Sequence, residues 1–553
     1  MSIARILTYQ TYLLQQENYE LRRFLKAVWV KTLNFKSLTF RQEIVWTTKL
    51  KLVTGLALII LIIEQIAFVS WLGTLGWILL LIKLPFLFLA FCLYLSLVVV
   101  ILKPFDIWQK NKIINQGRTK LAEWKKSNRN NKVIAIAGSY GKSSVKNALE
   151  IILSQKFKVL ATTGNQNTPM GISRMMNKGL NNDVEIVILE LGEYVVGDVR
   201  ELCEFYKPDL GVITGINEAH MERMGGIDNT IKSIFELAES LPKESKIYLN
   251  QHDKRVIDNY QKFCENLNSS FYSQGLTTKF PSTEGWTAKQ DGVFIGITNQ
   301  SSTFDLNTLS YNGQITNGTE TQNFELNMLA KYGLGLVDLV TQVGLEFDMN
   351  LNEIAHGIKE IKPVPHRLEL IKSQNGTIVI DDSYNGNPEG VRAAIEVLNL
   401  FKQQSPPARH PELVSGSPTT ENKYEPKNNP FPKGSNQNGL GDYDTIENTP
   451  FEGVKPKASG SLTTVYCTPG LVEIGKSSET VHYQLGKELA AVVDVLILVR
   501  NANTESMAKG YCEIKPEGII KYYESGPELH SKFGEMLKGG EVILFQNDLT
   551  DNY

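Results

Sequence analysis

The hydrophobic pattern divides the chain into a stretch with no polar face and a longer part in which short apolar runs alternate with amphipathic ones. Leu52–Leu72 (LVTGLALIILIIEQIAFVSWL) and Trp77–Leu102 (WILLLIKLPFLFLAFCLYLSLVVVIL) are apolar on all sides. Each is long enough to cross hydrocarbon, which takes roughly 20 residues of helix. Gly73, Thr74, Leu75 and Gly76 form a tight turn between them, so the pattern predicts a two-helix transmembrane hairpin rather than a helical hairpin inside a soluble core. The first run starts some fifty residues in, beyond the usual window of a cleaved signal peptide. Glu64 and Lys83 are the only charges within the runs; they are either relay residues or a pair that neutralises itself or snorkels.

Beyond the hairpin the period changes. A basic, helical connector from Asp106 to Lys126 leads to Lys132–Ala137 (KVIAIA), a buried parallel strand, and a helix from Lys142. Val184–Leu189 and Asp209–Thr214 read as further strands, alternating with helical patterns at Val199–Tyr206 and Thr230–Leu241. A second α/β unit begins near Ile361, with strands at Thr377–Ile380, Thr464–Cys467 and Val495–Val499 and a helix at Pro388–Phe401. Strands alternating with helices imply parallel sheets covered on both faces. The expected organisation is a basic segment (1–50), the hairpin (51–103), a basic connector (104–130), a central α/β domain (131–360) and a Rossmann-like α/β domain (361–553). Gln403–Thr463 is crowded with Pro, Ser, Asn, Gly and Thr and reads as a disordered insertion in that last domain.

Charge and composition refine this picture. The 553 residues carry 57 basic and 59 acidic side chains, a formal net charge of -2, so no overall field marks a nucleic-acid partner. The bias is local: basic residues crowd both flanks of the hairpin, from Arg22 to Lys51 before it and from Lys103 to Lys126 after it. Basic flanks prefer the cytoplasm, so both termini and the α/β domains are expected there, with the lipid bilayer as a partner. The five cysteines show no C-x-x-C spacing, which argues against a disulfide framework or a zinc site. Oligomeric state is not legible.

The most specific chemical signal is Gly138-Ser139-Tyr140-Gly141-Lys142-Ser143-Ser144, directly after the first strand and opening a helix. Its glycines let backbone N–H groups face an anion, Lys142 supplies a point charge, and the Ser143 hydroxyl is suited to Mg2+. It is shorter than the general G-x-x-x-x-G-K-[ST] pattern, and an ordinary glycine turn is the alternative.

This loop resembles the short phosphate loop of the Mur ligase family, ATP-dependent enzymes that add amino acids or peptides to cell-wall precursors. Ile188-Leu189-Glu190-Leu191-Gly192 is similar to the family's E-L-G element, and Ala219-His220-Met221-Glu222 to its A-H-[LM]-E loop. Thr163–Gly171 (TGNQNTPMG) is similar to its asparagine-rich loop, and His366-Arg367-Leu368-Glu369 to its R-[LF]-E motif. Asp381–Pro388 (DDSYNGNP) looks like the D-D-S-Y-N-x-N-P motif of the branch that adds D-alanyl-D-alanine. The resemblance runs from about Lys132 to Val499 apart from the insertion.

It implies a ligase of peptidoglycan precursor synthesis that activates a muropeptide carboxylate with ATP and joins it to a dipeptide amine. In that scheme Lys142, His220 and Arg367 are catalytic, and Ser143, Glu190 and His220 face metal. Residues 138–144 with Asp382, Tyr384 and Asn385 hold the nucleotide, and Asn165, Asn167 and Asn387 the substrates. The alternatives are a non-catalytic membrane scaffold that keeps the fold and a related ligase for another carboxylate and amine.

The chain departs from the family in three places. Residues 1–130 contain no counterpart of the uridine-nucleotide-binding domain. The position of the family's helix lysine falls on Ile234, and Lys232 is rotated about 200° away on a helix. The H-N-x-x-N stretch is replaced by Lys331–Leu336 (KYGLGL), where Tyr332 is either a base-stacking or a core residue.

Overall fold

The computed structural model describes residues 3–547 apart from 18, 33–43, 84–85, 165, 218–223, 273–295, 298–302, 306–307, 373–376, 384–385, 404–461, 472–473, 475–476, 527, 530 and 533–539. The described chain forms two compact units, one up to Gln116 and one from Gly117 onward. The predicted insertion, except for its first and last two residues, lies outside the described residues.

The first unit contains helices α1 (Ile3–Gln16), α2 (Leu21–Thr32), α3 (Thr48–Leu72), α4 (Thr74–Lys83) and the start of α5 (Leu87–Ser127). The basic segment is therefore not a featureless leader: Tyr9, Leu13 and Phe24 of α1 and α2 are buried with Val53, Ala57, Phe91 and Leu95 of the apolar helices. Within the second apolar run α4 ends at Lys83 and α5 begins at Leu87. The turn is also tighter than expected; Gly73 (φ 57°) closes α3 and Thr74 already starts α4. Two helices, Thr48–Leu72 and Leu87–Ser127, are long and apolar enough to cross a membrane. Glu64 and Lys83 form an ion pair, so mutual neutralisation is the reading that applies to them.

In the second unit the end of α5 packs on the first sheet. Leu121 and Trp124 are buried in its core, and the Trp124 indole N–H donates to the Val184 carbonyl (2.7 Å). Six parallel strands take the order β2-β3-β1-β4-β5-β6: β1 (Lys132–Ala137), β2 (Val159–Ala161), β3 (Ile186–Glu190), β4 (Leu210–Ile213), β5 (Lys246–Asn250) and β6 (Asn268–Tyr272). The β1 residues alternate faces: Ile134 and Ile136 meet helix α6 (Lys142–Leu153) and the helix Tyr332–Glu346, while Val133 and Ala135 meet α7 (Pro169–Gly179) and α8 (Asp198–Tyr206). This two-sided burial is the reason the strand is an unbroken apolar run.

A small antiparallel sheet of β7 (Gly296–Ile297), β8 (Thr303–Asp305), β9 (Ser310–Thr316) and β10 (Thr321–Leu326) follows. The last sheet runs β11-β12-β16-β13-β14-β15, with β11 (Glu369–Lys372) antiparallel at the edge and β12 (Ile378–Asp382), β13 (Thr463–Thr468), β14 (Val495–Val499), β15 (Ile519–Tyr523) and β16 (Glu541–Gln546) parallel. The mixed α/β class and the parallel sheets are as expected; the N-terminal helices and the antiparallel sheet were not predicted.

Candidate active site

The order β3-β1-β4 dictates the site. Because β1 lies between β3 and β4 in parallel register, Ile136 opposite Glu190 and Ala137 opposite Ile213, the strands' carboxyl ends share one edge. The loop after β1, Glu190 and Thr214 meet there, the edge where open α/β sheets bind ligands.

Within the loop, Gly138 (φ +146°) has no room for a side chain, since a Cβ would lie 2.1 Å from Thr214 Oγ1. Thr214 Oγ1 donates to the Tyr140 carbonyl and the Ser139 N–H to the Gly215 carbonyl (2.7 Å), fixing the loop to the end of β4. The Tyr140 hydroxyl donates to Asp253 Oδ2 (2.9 Å), which also accepts the Ile216 N–H (2.7 Å). Burial first, then the Asp253 carboxylate, holds the Tyr140 phenol far above its usual range. Asp253 lies 113 positions from Tyr140, and no local signal in the sequence links them.

Ser143 Oγ donates to Glu190 Oε2 (2.9 Å) and Lys142 Nζ to Glu193 Oε1 (2.8 Å) and the Gly138 carbonyl. Sequence reasoning singled out the first three of these side chains and missed Glu193, a buried carboxylate just past the E-L-G element; an acidic residue in that spot was the available signal.

The residues present fit a nucleotide phosphate with its cation. Among the described residues, Ser139 Oγ and Asn167 Oδ1 are buried with no hydrogen-bond partner, the Ser143 and Glu190 oxygens are hard ligands suited to Mg2+, and Lys142 is the cation of the loop. Asn167 also accepts the Gly192 N–H through its carbonyl (2.9 Å), placing the asparagine loop beside the end of β3.

The last sheet contributes a second set. His366 (φ +62°) and Leu368 (φ +48°) flank Arg367 in left-handed backbone, a strain that costs energy and is seen at functional sites. Arg367 acts electrostatically on Asp382 and Tyr332, and Tyr332 also lies near Ser144 of α6. Tyr332 packs against the cores of both sheets, so it is a structural bridge rather than a free stacking platform, and burial lifts its phenol to about 12. Asp382 accepts the Leu368 N–H (3.2 Å) and Gln546 Nε2 (2.8 Å). Asn387 accepts the Gly390 N–H (2.9 Å) at the start of the helix Pro388–Gln403, so its side-chain oxygen caps a helix. Ile234 is fully buried in the first sheet's core and Lys232 exposed, as their helical rotation requires. Asn165, His220, Tyr384 and Asn385 lie outside the described residues.

Burial raises the Asp382 carboxyl to about 7, countered in part by Arg367 and the Leu368 N–H. The folded protein then holds a proton that the unfolded chain, titrating near ~4, has released. Stability is fully present below pH ~4 and is lost as pH rises through about 7. Asp382→Asn should remove this slope, so that the melting temperature of the variant relative to the parent is higher at pH 8 than at pH 4.5 by several degrees. Equal differences at both pH values, in thermal unfolding followed by circular dichroism, would contradict the assignment.

Residues 136–334 match the family described as Mur ligase middle domain. Among curated relatives, the chain is 24% identical over 271 residues to the UDP-N-acetylmuramoyl-tripeptide–D-alanyl-D-alanine ligase of Bacillus subtilis, covering 49% of this chain and 53% of that protein. It is 25% identical over 299 residues to the ligase of the same name from Escherichia coli, covering 54% and 62%. The chain thus spans less than two thirds of these relatives' length. Among solved structures, MurF from Acinetobacter baumannii superposes with a TM-score of 0.56 at 19% identity, covering 79% of this chain and 77% of that one. MurF from Thermotoga maritima in complex with ADP superposes at 0.54 and 18% identity, covering 80% and 81%. These two likenesses establish the fold.

Proposed function

We propose, for a chain whose residues 136–334 match the Mur ligase middle domain, that the protein is an ATP-dependent amide-bond ligase. It joins a dipeptide amine, D-alanyl-D-alanine, to a muropeptide carboxylate in peptidoglycan precursor synthesis. The observation that carries the reading is the approach of the Lys142 loop and Glu190 from one sheet to Arg367 and Asp382 from the other, bridged by Tyr332, which packs against both cores, and by the Asn217 amide donating to Glu389 Oε2 (2.8 Å). The names of the curated relatives support the substrate pair.

A carboxylate becomes reactive when its oxygen takes the terminal phosphoryl group of ATP; the amine then displaces phosphate from the acyl phosphate. Backbone N–H groups of residues 138–144 and the Lys142 ammonium bind and orient the phosphates. Ser143 and Glu190 would hold Mg2+, which neutralises phosphate charge when bound; His220 is proposed as a further ligand. Arg367 supplies a second cation from the opposite sheet, and closure of the two around the acyl phosphate excludes water. Asp382, Tyr384 and Asn385 are proposed for the nucleotide and Asn165, Asn167 and Asn387 for the substrates, with Asn387 Oδ1 committed to its helix cap.

The membrane anchor belongs to the same proposal. Only 22% and 28% of the two apolar windows are buried by the protein, and Ile59, Ile62, Ile63, Leu93, Val100 and Ile101 face outward, a surface that lipid would cover. Basic flanks favour both ends and the catalytic domains on the cytoplasmic side. The buried Ile234 in place of a family lysine favours the non-catalytic scaffold as the second reading.

One assay separates these readings. Carbonate-washed membranes from cells expressing the full chain should retain it, and should release ADP and phosphate only when muropeptide and dipeptide are both present, with the amide product seen by mass spectrometry. Nucleotide binding without product from any muropeptide would establish the scaffold, and loss of the protein into the wash would remove the anchor.

A further inference from the structure

The phosphate loop carries a charge arrangement that the proposed reaction does not use. Lys142 and Glu193 are both largely buried, their side chains 13% and 3% exposed, and their ion pair is 2.8 Å long. The adjacent Ser143 holds the second carboxylate, Glu190, at 2.9 Å. Both carboxylates come from the end of β3 and its immediate continuation, and both meet consecutive residues of the loop. Among the described residues, the loop thus brings one ammonium and two carboxylates together, and its ammonium is already engaged.

We propose that Glu193 is an internal counter-anion of the phosphate loop, which shuts out metal-free nucleotide and makes nucleotide entry depend on a divalent cation. This rests on the reading of residues 138–144 as a nucleotide site. A phosphate reaching Lys142 has to share or replace the Glu193 carboxylate, and the displaced carboxylate stays in a poorly solvated place beside another anion. Free nucleotide offers no positive charge to offset that repulsion. A nucleotide arriving with a divalent cation does, since the cation's charge can balance Glu190 and Glu193 together while Lys142 turns to the phosphate. Glu193 therefore acts through Lys142 and the cation, as a positioning and selectivity residue.

The test compares dissociation constants for ADP and for a non-hydrolysable ATP analogue, by calorimetry on the full chain in detergent, with MgCl2 and with EDTA. The parent protein should bind at least 100-fold more weakly in EDTA. Glu193→Gln should bind in EDTA at least 10-fold more tightly than the parent, shrinking the ratio, whereas Glu193→Asp, which keeps the charge, should retain most of it. Melting temperatures taken alongside show that each variant is folded. An unchanged EDTA-to-magnesium ratio in a folded Glu193→Gln protein overturns the proposal, as does a parent ratio near one. If the parent binds neither nucleotide even with magnesium, it is the nucleotide-site reading that fails.

Discussion

Replacing Lys142 by alanine is expected to lower ligase turnover by roughly 10²–10³-fold or more, the loss seen when a preorganised charge aimed at the reacting group is removed. The same substitution has a second effect, because Glu193 is left buried without its ammonium partner; breaking one side of a buried pair costs about 3–5 kcal/mol. The two effects are separable. Lys142→Ala combined with Glu193→Gln removes the stranded charge, so the double variant should recover most of the lost melting temperature while remaining inactive. A single variant that keeps its turnover would sink the mechanism, and a double variant as unstable as the single one would show that Glu193 does not carry the stability cost.

The second large effect is expected at Gly215. A Cβ there would lie 2.3 Å from the Tyr140 ring, closer than atoms can approach, so Gly215→Ala has to push Tyr140 away from Asp253 or move the loop it belongs to. Overpacking of this kind costs about 1–3 kcal/mol. Since the loop's backbone also bonds Gly215 directly, nucleotide affinity should drop by roughly 10–100-fold, each decade being about 1.4 kcal/mol. Removing the ring should relieve the clash: Tyr140→Ser with Gly215→Ala is expected to bind nucleotide more tightly than Gly215→Ala alone. Calorimetric titration of the two variants with magnesium nucleotide checks this, and a double variant no better than the single one would rule out the ring as the cause.

Much of the fold was legible because burial on both faces writes an unmistakable run, as in Lys132–Ala137 and Val495–Val499. The antiparallel strands Ser310–Thr316 and Thr321–Leu326 were harder. They are rich in polar residues, and the Asn317-Gly318 turn that joins them competes with an identical Asn312-Gly313 pair inside a strand. At the site, motifs gave the residues proposed here to meet phosphate. What they could not give were partners fixed by strand order alone, such as Asp253 for Tyr140, or Glu193 for Lys142, whose separation of 51 positions leaves no periodic trace. At Asn387, a residue chosen for substrate, the structure adds a role that the motif did not indicate, since its side-chain oxygen caps a helix.

The strand order of the last sheet has a consequence for synthesis on the ribosome. Strand β16 fills the slot between β12 and β13, yet it ends at Gln546, 164 positions after β12 ends at Asp382. At about 5–20 residues per second, roughly 8–33 s pass between the emergence of the two strands. Throughout that interval β12 presents an unpaired edge, and β13, which ends at Thr468, adds a second for the later part of it, the feature that draws strands from other chains. The nascent domain therefore has a window in which chaperone capture competes with aggregation, and codon choice upstream of Glu541 becomes a determinant of yield that leaves the finished protein unchanged.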